Sequence, residues 1–144
     1  MWRGLGVLAI IVGAVLLPGG GHATDCANWS SKFDGIKNPE VRAEFRSRSD
    51  RRSWDQLIEE AGGPAKALVL FRNDLRDARS RLDNANGAAE ALKAAGTTDR
   101  EITWQECSGQ TNARTAARCE ALNMREMIMA LEGSIELVQC RMGR

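Results

Sequence analysis

Side chains that could perform acid–base or metal chemistry are few in this sequence. The chain has one histidine, His22, and no tyrosine. His22 falls within a segment that we predict to be a cleavable signal peptide, so the mature chain has no imidazole. A Ser-His-Asp triad, a Cys-His pair, a histidine-bound zinc and a histidine-ligated haem all require one. We therefore predict no enzyme, no metal and no cofactor; the groups left for acid–base work are carboxylates and four lysines, Lys32, Lys37, Lys66 and Lys93.

Two acidic segments are the remaining candidates for such chemistry. Glu59 and Glu60 are adjacent, and neighbouring residues of a helix point about 100° apart, so they cannot flank one substrate bond as a glycosidase pair does. We interpret them as solvated surface. Residues 83–87 resemble part of a calcium loop. If Gly87 took its sixth position, however, Lys93 would take the twelfth, where a bidentate glutamate is required, so we predict a helix kink near Gly87 instead.

Cysteines give a clearer chemical signal, because their number is even: Cys26, Cys107, Cys119 and Cys140. An even number in an exported chain predicts two disulfides. Consecutive cysteines are 81, 12 and 21 residues apart. These spacings fit no CxxC redox centre, haem attachment site or zinc knuckle, all of which need closely spaced ligands.

One stretch is strongly basic, with arginines at Arg42, Arg46, Arg48, Arg51 and Arg52. With its two acidic residues, Glu44 and Asp50, the stretch carries a net charge of +3. Arginine side chains bind oxyanions in bidentate fashion, so we predict this basic stretch as the partner-binding surface for an acidic protein or a phosphate-bearing glycan. The alternative is a solvated helix face.

The N-terminus has the order of a secretory signal. A short positive start at Arg3 precedes an apolar run from Leu5 to Leu17, and Pro18 to Gly21 then ends any helix. The run would span only about 20 Å of a hydrocarbon core roughly 30 Å thick. We predict cleavage after Ala23, which gives residues 1–23 as signal peptide and residues 24–144 as a single periplasmic or secreted helical domain with no stable membrane insertion.

Charge in the mature chain is balanced. Loss of Arg3 leaves 19 basic and 19 acidic residues. A neutral balance gives no reason to expect nucleic acid as a partner, and the expected partner is another envelope or extracellular protein.

Two long segments predict amphipathic helices, because their apolar residues recur in alternating steps of three and four. The first set is Leu68, Phe71, Leu75, Ala78, Leu82, Ala85, Ala89 and Leu92. The second set is Ala117, Ala121, Met124, Ile128, Leu131, Ile135, Val138 and Met142. We expect the two stripes to pack against each other as a long antiparallel helical hairpin. The methionines nearby are expected to fill the core; the alternative is an adaptable binding groove, for which only Met127 and Met129, outside the second stripe, are candidates for exposure.

Capping residues set the expected ends of these helices. Pro64 suits the first turn of the earlier long helix and Gly96 its C-terminal cap, while Thr111 or Asn112 caps the later one. Between them, Thr98 and Glu101 have the spacing of a capping box, and they predict a short helix holding Ile102, Trp104 and Cys107 that ends at Gly109.

Short helices are also expected before the hairpin. Val41 and Phe45 predict one after Pro39. Ser53 and Gln56 predict a second capping box, and with it a helix that ends at Gly62-Gly63. Since no run of alternating β-branched residues is long enough for a strand, we predict an all-α, disulfide-tied helical bundle.

Helix geometry narrows the disulfide pairing. Cys119 and Cys140 are 21 residues apart on one predicted helix, about 30 Å along its axis, so they cannot bond to each other. We favour Cys107–Cys119 with Cys26–Cys140, which lets residues 25–38 cover the outer face of the last helix with Trp29 and Phe33. Cys26–Cys119 with Cys107–Cys140 stays open.

Two resemblances concern the C-terminal third. Trp104, Cys107, Cys119, Arg125 and Leu131 resemble the tail of the small periplasmic lysozyme-inhibitor-like family. Residues 131–141 resemble the C-terminus of phage inner-membrane spanins. The first resemblance implies an inhibitor and the second an envelope-spanning element, and neither assigns a role to a single residue.

These observations predict an exported, non-enzymatic interaction module of the bacterial envelope, either inhibitor-like or an accessory subunit. The alternatives are a lysozyme-inhibitor-like protein, a small enzyme that acts on cell wall through carboxylates, and a coiled-coil or spanin-like element that self-associates.

Overall fold

The computed structural model describes residues 31–46, 51–109 and 112–143. Within these ranges the chain forms a 3-10 helix and five α-helices, and it contains no strand. The 3-10 helix is Ser31–Gly35, and the α-helices are α1 (Pro39–Arg46), α2 (Arg51–Glu60), α3 (Pro64–Ala91), α4 (Trp104–Cys107) and α5 (Ala113–Arg141). The all-α prediction is confirmed. The predicted signal peptide, Cys26 and Trp29 lie outside the described residues.

The long helices α3 and α5 pack against each other along their lengths. Arg79 Nη2 lies 3.2 Å from Glu132 Oε1, and Arg81 Nη2 lies 2.5 Å from Glu120 Oε1. Further along α3, Arg114 of α5 donates to the Ala89 carbonyl. Because contacts later in α3 involve residues earlier in α5, the two helices run in opposite directions. No described helix has both the length and the apolar character needed to cross a bilayer.

The stripe predicted on α3 forms much of the core. Six of its eight residues are buried; they are Leu68, Phe71, Leu75, Ala78, Ala85 and Ala89. Pro64 begins the helix as predicted, after Gly63 at the N-cap. The prediction that Gly96 caps α3 is wrong, because the helix ends at Ala91 and Gly96 belongs to a separate turn, in which its φ is 78° and Thr97 N donates to the Ala94 carbonyl.

Helix α5 is buried over a wider face than one stripe provides. The predicted stripe includes the buried residues Ala121, Met124, Leu131 and Val138. A second row of buried residues lies beside it at steps of four, three and four: Glu126, Ala130, Gly133 and Leu137. The second row has its own partners, since the 3-10 helix and α1 both contact α5. The prediction that the N-terminal segment covers α5 is thus confirmed for Phe33, which is buried.

The N-terminal helices bring aromatic side chains into this core. Phe33 stacks on Phe45 of α1, with ring centroids 5.9 Å apart. Trp54 of α2 meets Phe71 of α3 edge-on at 6.1 Å. Trp54 is only 1% exposed, so α2 is held to α3 by the largest side chain of the core.

Both predicted capping boxes are wrong, each for a local reason. Helix α2 begins at Arg51, so Ser53 lies inside it, and the Gln56 amide donates to Glu60 Oε1 one turn later. Thr98 and Glu101 precede the short helix α4 without capping it. Its capping box is Thr103 with Glu106 instead, because Thr103 N and Oγ1 lie 2.7 and 3.0 Å from Glu106 Oε2.

The cap predicted for α5 is confirmed at Asn112, whose Oδ1 accepts a hydrogen bond from Thr115 N at 2.8 Å. One turn further, Cys119 is joined to Cys107 of α4 by a disulfide with a Cα–Cα distance of 5.6 Å. This bond ties the segment between α3 and α5 back onto α5. Cys26 falls outside the described residues, so the Cys26–Cys140 link stays a prediction.

A buried polar cluster joins the start of α1 to the middle of α5. Asn38 caps α1, since its Oδ1 accepts from Glu40 N at 2.8 Å and from Val41 N at 3.2 Å. The Glu126 carboxylate accepts from Lys37 N at 3.0 Å and from Asn38 N at 2.5 Å. A carboxylate at the N-terminal end of a helix is stabilised by the helix dipole as well as by these amides. Glu126 can therefore be buried, at 5% exposure, without an ion pair within 4.0 Å in the described part of the chain.

Candidate functional site

The predicted partner-binding arginines lie at the junction of α1 and α2. Arg42 is exposed on α1. Arg46 belongs to α1, and Arg51 and Arg52 begin α2, but their side chains lie outside the described part of the structure, as does the whole of Arg48. The basic stretch therefore stays a predicted surface.

The carboxylates of both candidate segments are exposed, Asp83 included. Glu59 and Glu60 are both exposed at the end of α2, as predicted. Residues 83–87 lie inside α3, which continues without a break through Gly87. Across the ranges that the structure describes, no group of three histidine, cysteine or acidic side chains could hold a metal ion.

Where α1, α2, α3 and α5 meet lies an open groove, which we call the methionine groove, with a volume of about 490 Å³. Helices α1, α2, α3 and α5 all contribute to its walls. Its apolar lining includes Phe45, Leu57, Leu70, Met124, Met127 and Leu131. Leu70 is 51% exposed and Met127 is half-buried, so the groove presents apolar surface to solvent. Met127 and Met129, the two candidates for exposure, are both half-buried, and Met127 packs against the core as well.

The two sides of the methionine groove differ in charge. On the α3 side, Asp74 and Asp77 are exposed and line the groove together with Arg81. Arg81 is paired with Glu120, and Asp77 lies 3.9 Å from Arg76, so Asp74 is the carboxylate of that side without an ion pair among the described residues. On the opposite side, Phe45 and Leu57 belong to the two helices that the basic stretch connects.

A second groove, of about 500 Å³, lies between α3, α5 and the segment that precedes α4. We call it the arginine groove, because Arg100, Arg118 and Arg125 line it. Arg118 donates to the Arg100 carbonyl oxygen, and Arg125 Nη2 lies 3.4 Å from Asn86 Oδ1. Neither Arg118 nor Arg125 has a carboxylate within 4.0 Å in the described residues.

Other charges of the arginine groove are neutralised within the protein. Asp99 Oδ1 lies 2.5 Å from Arg114 Nη2, and Asp99 Oδ2 lies 3.4 Å from Lys93 Nζ. The hydrogen bond from Arg114 lowers the pKa of Asp99, and the charges of Arg114 and Lys93 lower it further. Lys93 also pairs with Glu90, at 3.6 Å. These pairs hold the segment after α3 in place and leave few free charges at the groove.

Glu106, the capping residue of α4, is fixed by Arg100 and Thr103. The hydrogen bond from Arg100 is the largest of the effects that lower the pKa of Glu106 to about 2, and the backbone and side chain of Thr103 follow. The same pair raises the pKa of Arg100. The Arg100–Glu106 pair thus connects the wall of the arginine groove to the short helix that carries Cys107.

We expect this capping interaction to weaken only in strong acid. Because the pKa of Glu106 is about 2 in the folded protein and 4.5 in the unfolded reference, the stability that the charged carboxylate contributes is present above pH 4.5. That contribution is lost as the pH falls toward 2. A carbon-detected NMR titration of the Glu106 carboxyl should have its midpoint near pH 2 in the natural sequence. In the Arg100→Gln variant the midpoint should move toward 4.5, and an unchanged midpoint would show that Arg100 is not the main cause.

Sequence reasoning missed Glu126, Arg118 and Arg125. A signal for Glu126 was present, since it begins a second helical row with Ala130, Gly133 and Leu137. The signal for Arg118 and Arg125 is that neither has an acidic residue three or four positions away on its own helix, where a helical ion pair would form.

No protein-family model, curated protein or solved structure matches this chain. The two resemblances of the C-terminal third therefore stay predictions, and the grooves are interpreted from their own chemistry.

Proposed function

We propose that this protein is an exported, non-enzymatic interaction module of the bacterial envelope, either inhibitor-like or an accessory subunit of a larger assembly. In this proposal the protein folds as a disulfide-tied helical bundle built on the antiparallel pair α3 and α5. The methionine groove is its binding surface.

The disulfide between Cys107 and Cys119 supports the proposed location outside the cytosol. Disulfides form and persist in secreted and periplasmic proteins and are rare in a reducing cytosol. The Cys107–Cys119 bond is compatible with an oxidising compartment, and the predicted signal peptide at residues 1–23 would deliver the chain there. We accordingly propose a periplasmic or secreted protein.

The methionine groove is the observation that carries the binding function. Monomeric proteins rarely leave a continuous apolar surface exposed unless it binds something. Methionine adapts its shape to different partners, because its side chain is unbranched and polarisable. The groove is open at the surface and lies between helices, where an apolar segment of another protein can enter.

Charges around the groove indicate the kind of segment that fits. Phe45 and Leu57 line it on the side of α1 and α2, the two helices to which four arginines of the basic stretch belong, and Asp74 and Asp77 line it on the side of α3. An amphipathic helix from a partner protein would place its apolar face in the groove. Acidic residues would flank that face toward the basic stretch, and basic residues would flank it toward Asp74 and Asp77.

An enzyme that acts on cell wall through carboxylates is the second candidate, because two carboxylates line this one groove. Asp74 and Asp77 lie three residues apart on α3 and so share one wall. A glycosidase pair must flank the scissile bond from both sides. The geometry favours binding over hydrolysis.

The test is quantitative capture from the native envelope, followed by mapping of the captured segment by cross-linking and mass spectrometry. We expect the natural sequence to retain one protein through an acidic, amphipathic helical segment. Capture should fall about tenfold or more for Met127→Glu, which places a charge in the groove. It should also fall for the double charge reversal Arg48→Glu/Arg51→Glu, which removes the attraction of the basic stretch.

Arg72→Glu is the matched control, because Arg72 is exposed on α3 and points away from the groove, two residues from both Leu70 and Asp74. Capture of the same protein by Arg72→Glu and by Met127→Glu at equal yield would overturn the proposal. Release of cell-wall fragments that stops in Asp74→Asn would establish the enzyme instead. Light scattering that shows a dimer, lost in Met127→Glu, would establish self-association.

A further inference from the structure

The arginine groove has the chemistry of an anion site that the partner-binding function does not use. Its position differs from that of the methionine groove, since it lies near residues 86–90 of α3 and 118–125 of α5. A volume of about 500 Å³ is within the range of small-molecule sites.

Two guanidinium groups of α5 are directed to this groove, Arg118 and Arg125. They are seven residues apart, two turns of the helix, so they share one face at a separation of about 10 Å along the axis. Arginines elsewhere on the same helix are paired, Arg114 with Asp99 and Arg141 with Asp55. Arg118 and Arg125 bind only oxygens that carry no formal charge, the Arg100 carbonyl and the Asn86 amide.

Charges that line the groove do not cancel once the internal ion pairs are formed. Arg100 is neutralised by Glu106, Asp99 by Arg114 and Lys93, and Glu90 by Lys93. The charges that remain at the groove are the two positive charges of Arg118 and Arg125 and the one negative charge of the exposed Glu101. The arginine groove therefore keeps a net positive charge.

Arg118 is already held in position. Its side chain is half-buried, and its hydrogen bond to the Arg100 carbonyl uses only part of a guanidinium that has five N–H donors. A guanidinium that is fixed before the ligand arrives loses less side-chain entropy on binding. Asn86 adds a neutral amide that can donate to the same ligand.

We propose that the arginine groove binds a small organic anion, through bidentate contacts of Arg118 and Arg125 with its phosphate or carboxylate groups. Asn86 completes the contacts on the α3 side. The site is independent of the methionine groove, so a ligand bound there leaves the protein-binding surface free.

Two-dimensional NMR titration of the full mature chain tests this proposal. Inorganic pyrophosphate is the phosphate probe and succinate the carboxylate probe, each added at ionic strength held constant with sodium chloride so that general screening does not change. We expect saturable shifts at residues 86–90, 99–102 and 118–125 with at least one probe, and the probe that binds identifies the anion class.

Variants distinguish specific binding of the anion in the arginine groove from general attraction of anions to positive charge on the protein. Arg118→Gln/Arg125→Gln should weaken binding about tenfold or more, since two charge-assisted contacts are removed. Arg125→Gln alone should weaken it about threefold or more. Because the exposed Arg125 makes only the long contact to Asn86, that single variant keeps the fold even if loss of Arg118 loosens the segment that precedes α4.

Arg72→Gln removes the same charge from α3 outside the groove and should leave the affinity unchanged. The proposal would be overturned by shifts that do not saturate with either probe. Equal affinities of the natural sequence and Arg125→Gln would overturn it too. So would a loss of affinity in Arg72→Gln as large as the loss in Arg125→Gln.

Discussion

Glu126→Ala should lower the free energy of unfolding by about 3–5 kcal/mol, because each hydrogen bond to a charged acceptor contributes about 1.5–3 kcal/mol. The substitution leaves Lys37 N and Asn38 N without the carboxylate oxygens that accept from them. Asn38 is only 1% exposed, so water cannot replace the lost acceptor at its amide. Urea unfolding followed by circular dichroism measures the change.

Two comparisons make this prediction specific to the buried carboxylate. Glu126→Gln keeps the shape and one acceptor oxygen, so its effect should be intermediate. Glu120→Ala on the same helix removes the surface ion pair with Arg81 and should change stability by no more than about 1 kcal/mol. If Glu126→Ala and Glu120→Ala unfolded at the same urea concentration, the polar cluster would have no special role in holding α1 to α5.

Trp54→Ala should destabilise the protein by about 3–5 kcal/mol, the usual effect of removing a large aromatic side chain from a core. Trp54 is 1% exposed and makes the edge-on contact that joins α2 to Phe71 of α3. Its loss opens a cavity between two helices that the neighbouring side chains cannot close completely. Unfolding in guanidinium chloride measures this free-energy change. It is followed by circular dichroism, because the substitution removes a fluorophore.

Trp54→Phe distinguishes loss of volume from loss of polarity. Trp54 Nε1 is buried and has no hydrogen-bond partner within the described ranges, so phenylalanine removes an unsatisfied donor and keeps an aromatic ring. We expect it to destabilise by less than about 2 kcal/mol, well below the effect of alanine. If Trp54→Phe and Trp54→Ala lowered the free energy of unfolding by the same amount, the indole N–H would contribute to stability after all.

The long helices could be predicted from the sequence because their information is local and periodic. Steps of three and four place Leu68, Phe71 and Leu75 on one face whatever surrounds the helix. Pro64 and Asn112 mark the beginnings of α3 and α5 through backbone chemistry that acts within one turn. The structure confirms both helix beginnings and most of the two stripes.

Capping boxes were harder to place, because the same residue types recur along short segments. Thr98 and Glu101 have the required spacing, and so do Thr103 and Glu106. The second pair forms because Arg100 also binds Glu106 and the disulfide holds Cys107 to α5. Both are tertiary effects, and spacing alone does not contain them.

Sequence reasoning located the basic stretch and named Met127 as a candidate for a groove, but it gave neither the other walls of the methionine groove nor the arginine groove. The methionine groove needs Phe45, Leu57 and Leu70, from three consecutive helices, to meet Met127 of the distant helix α5. The arginine groove depends on which charges are already paired, such as Asp99 with Arg114 across 15 residues. Both follow from how the helices pack, which the apolar pattern of a single helix does not specify.

The two-sided burial of α5 has a consequence for synthesis of the protein on the ribosome. The 3-10 helix and α1 both contact α5, and the amide of Asn38 donates to Glu126, 88 residues later in the chain. Contacts so distant in the chain form late, since loop closure must precede them. A nascent chain that stalls before α5 is complete thus leaves the aromatic side chains of its first helices open to chaperones and proteases.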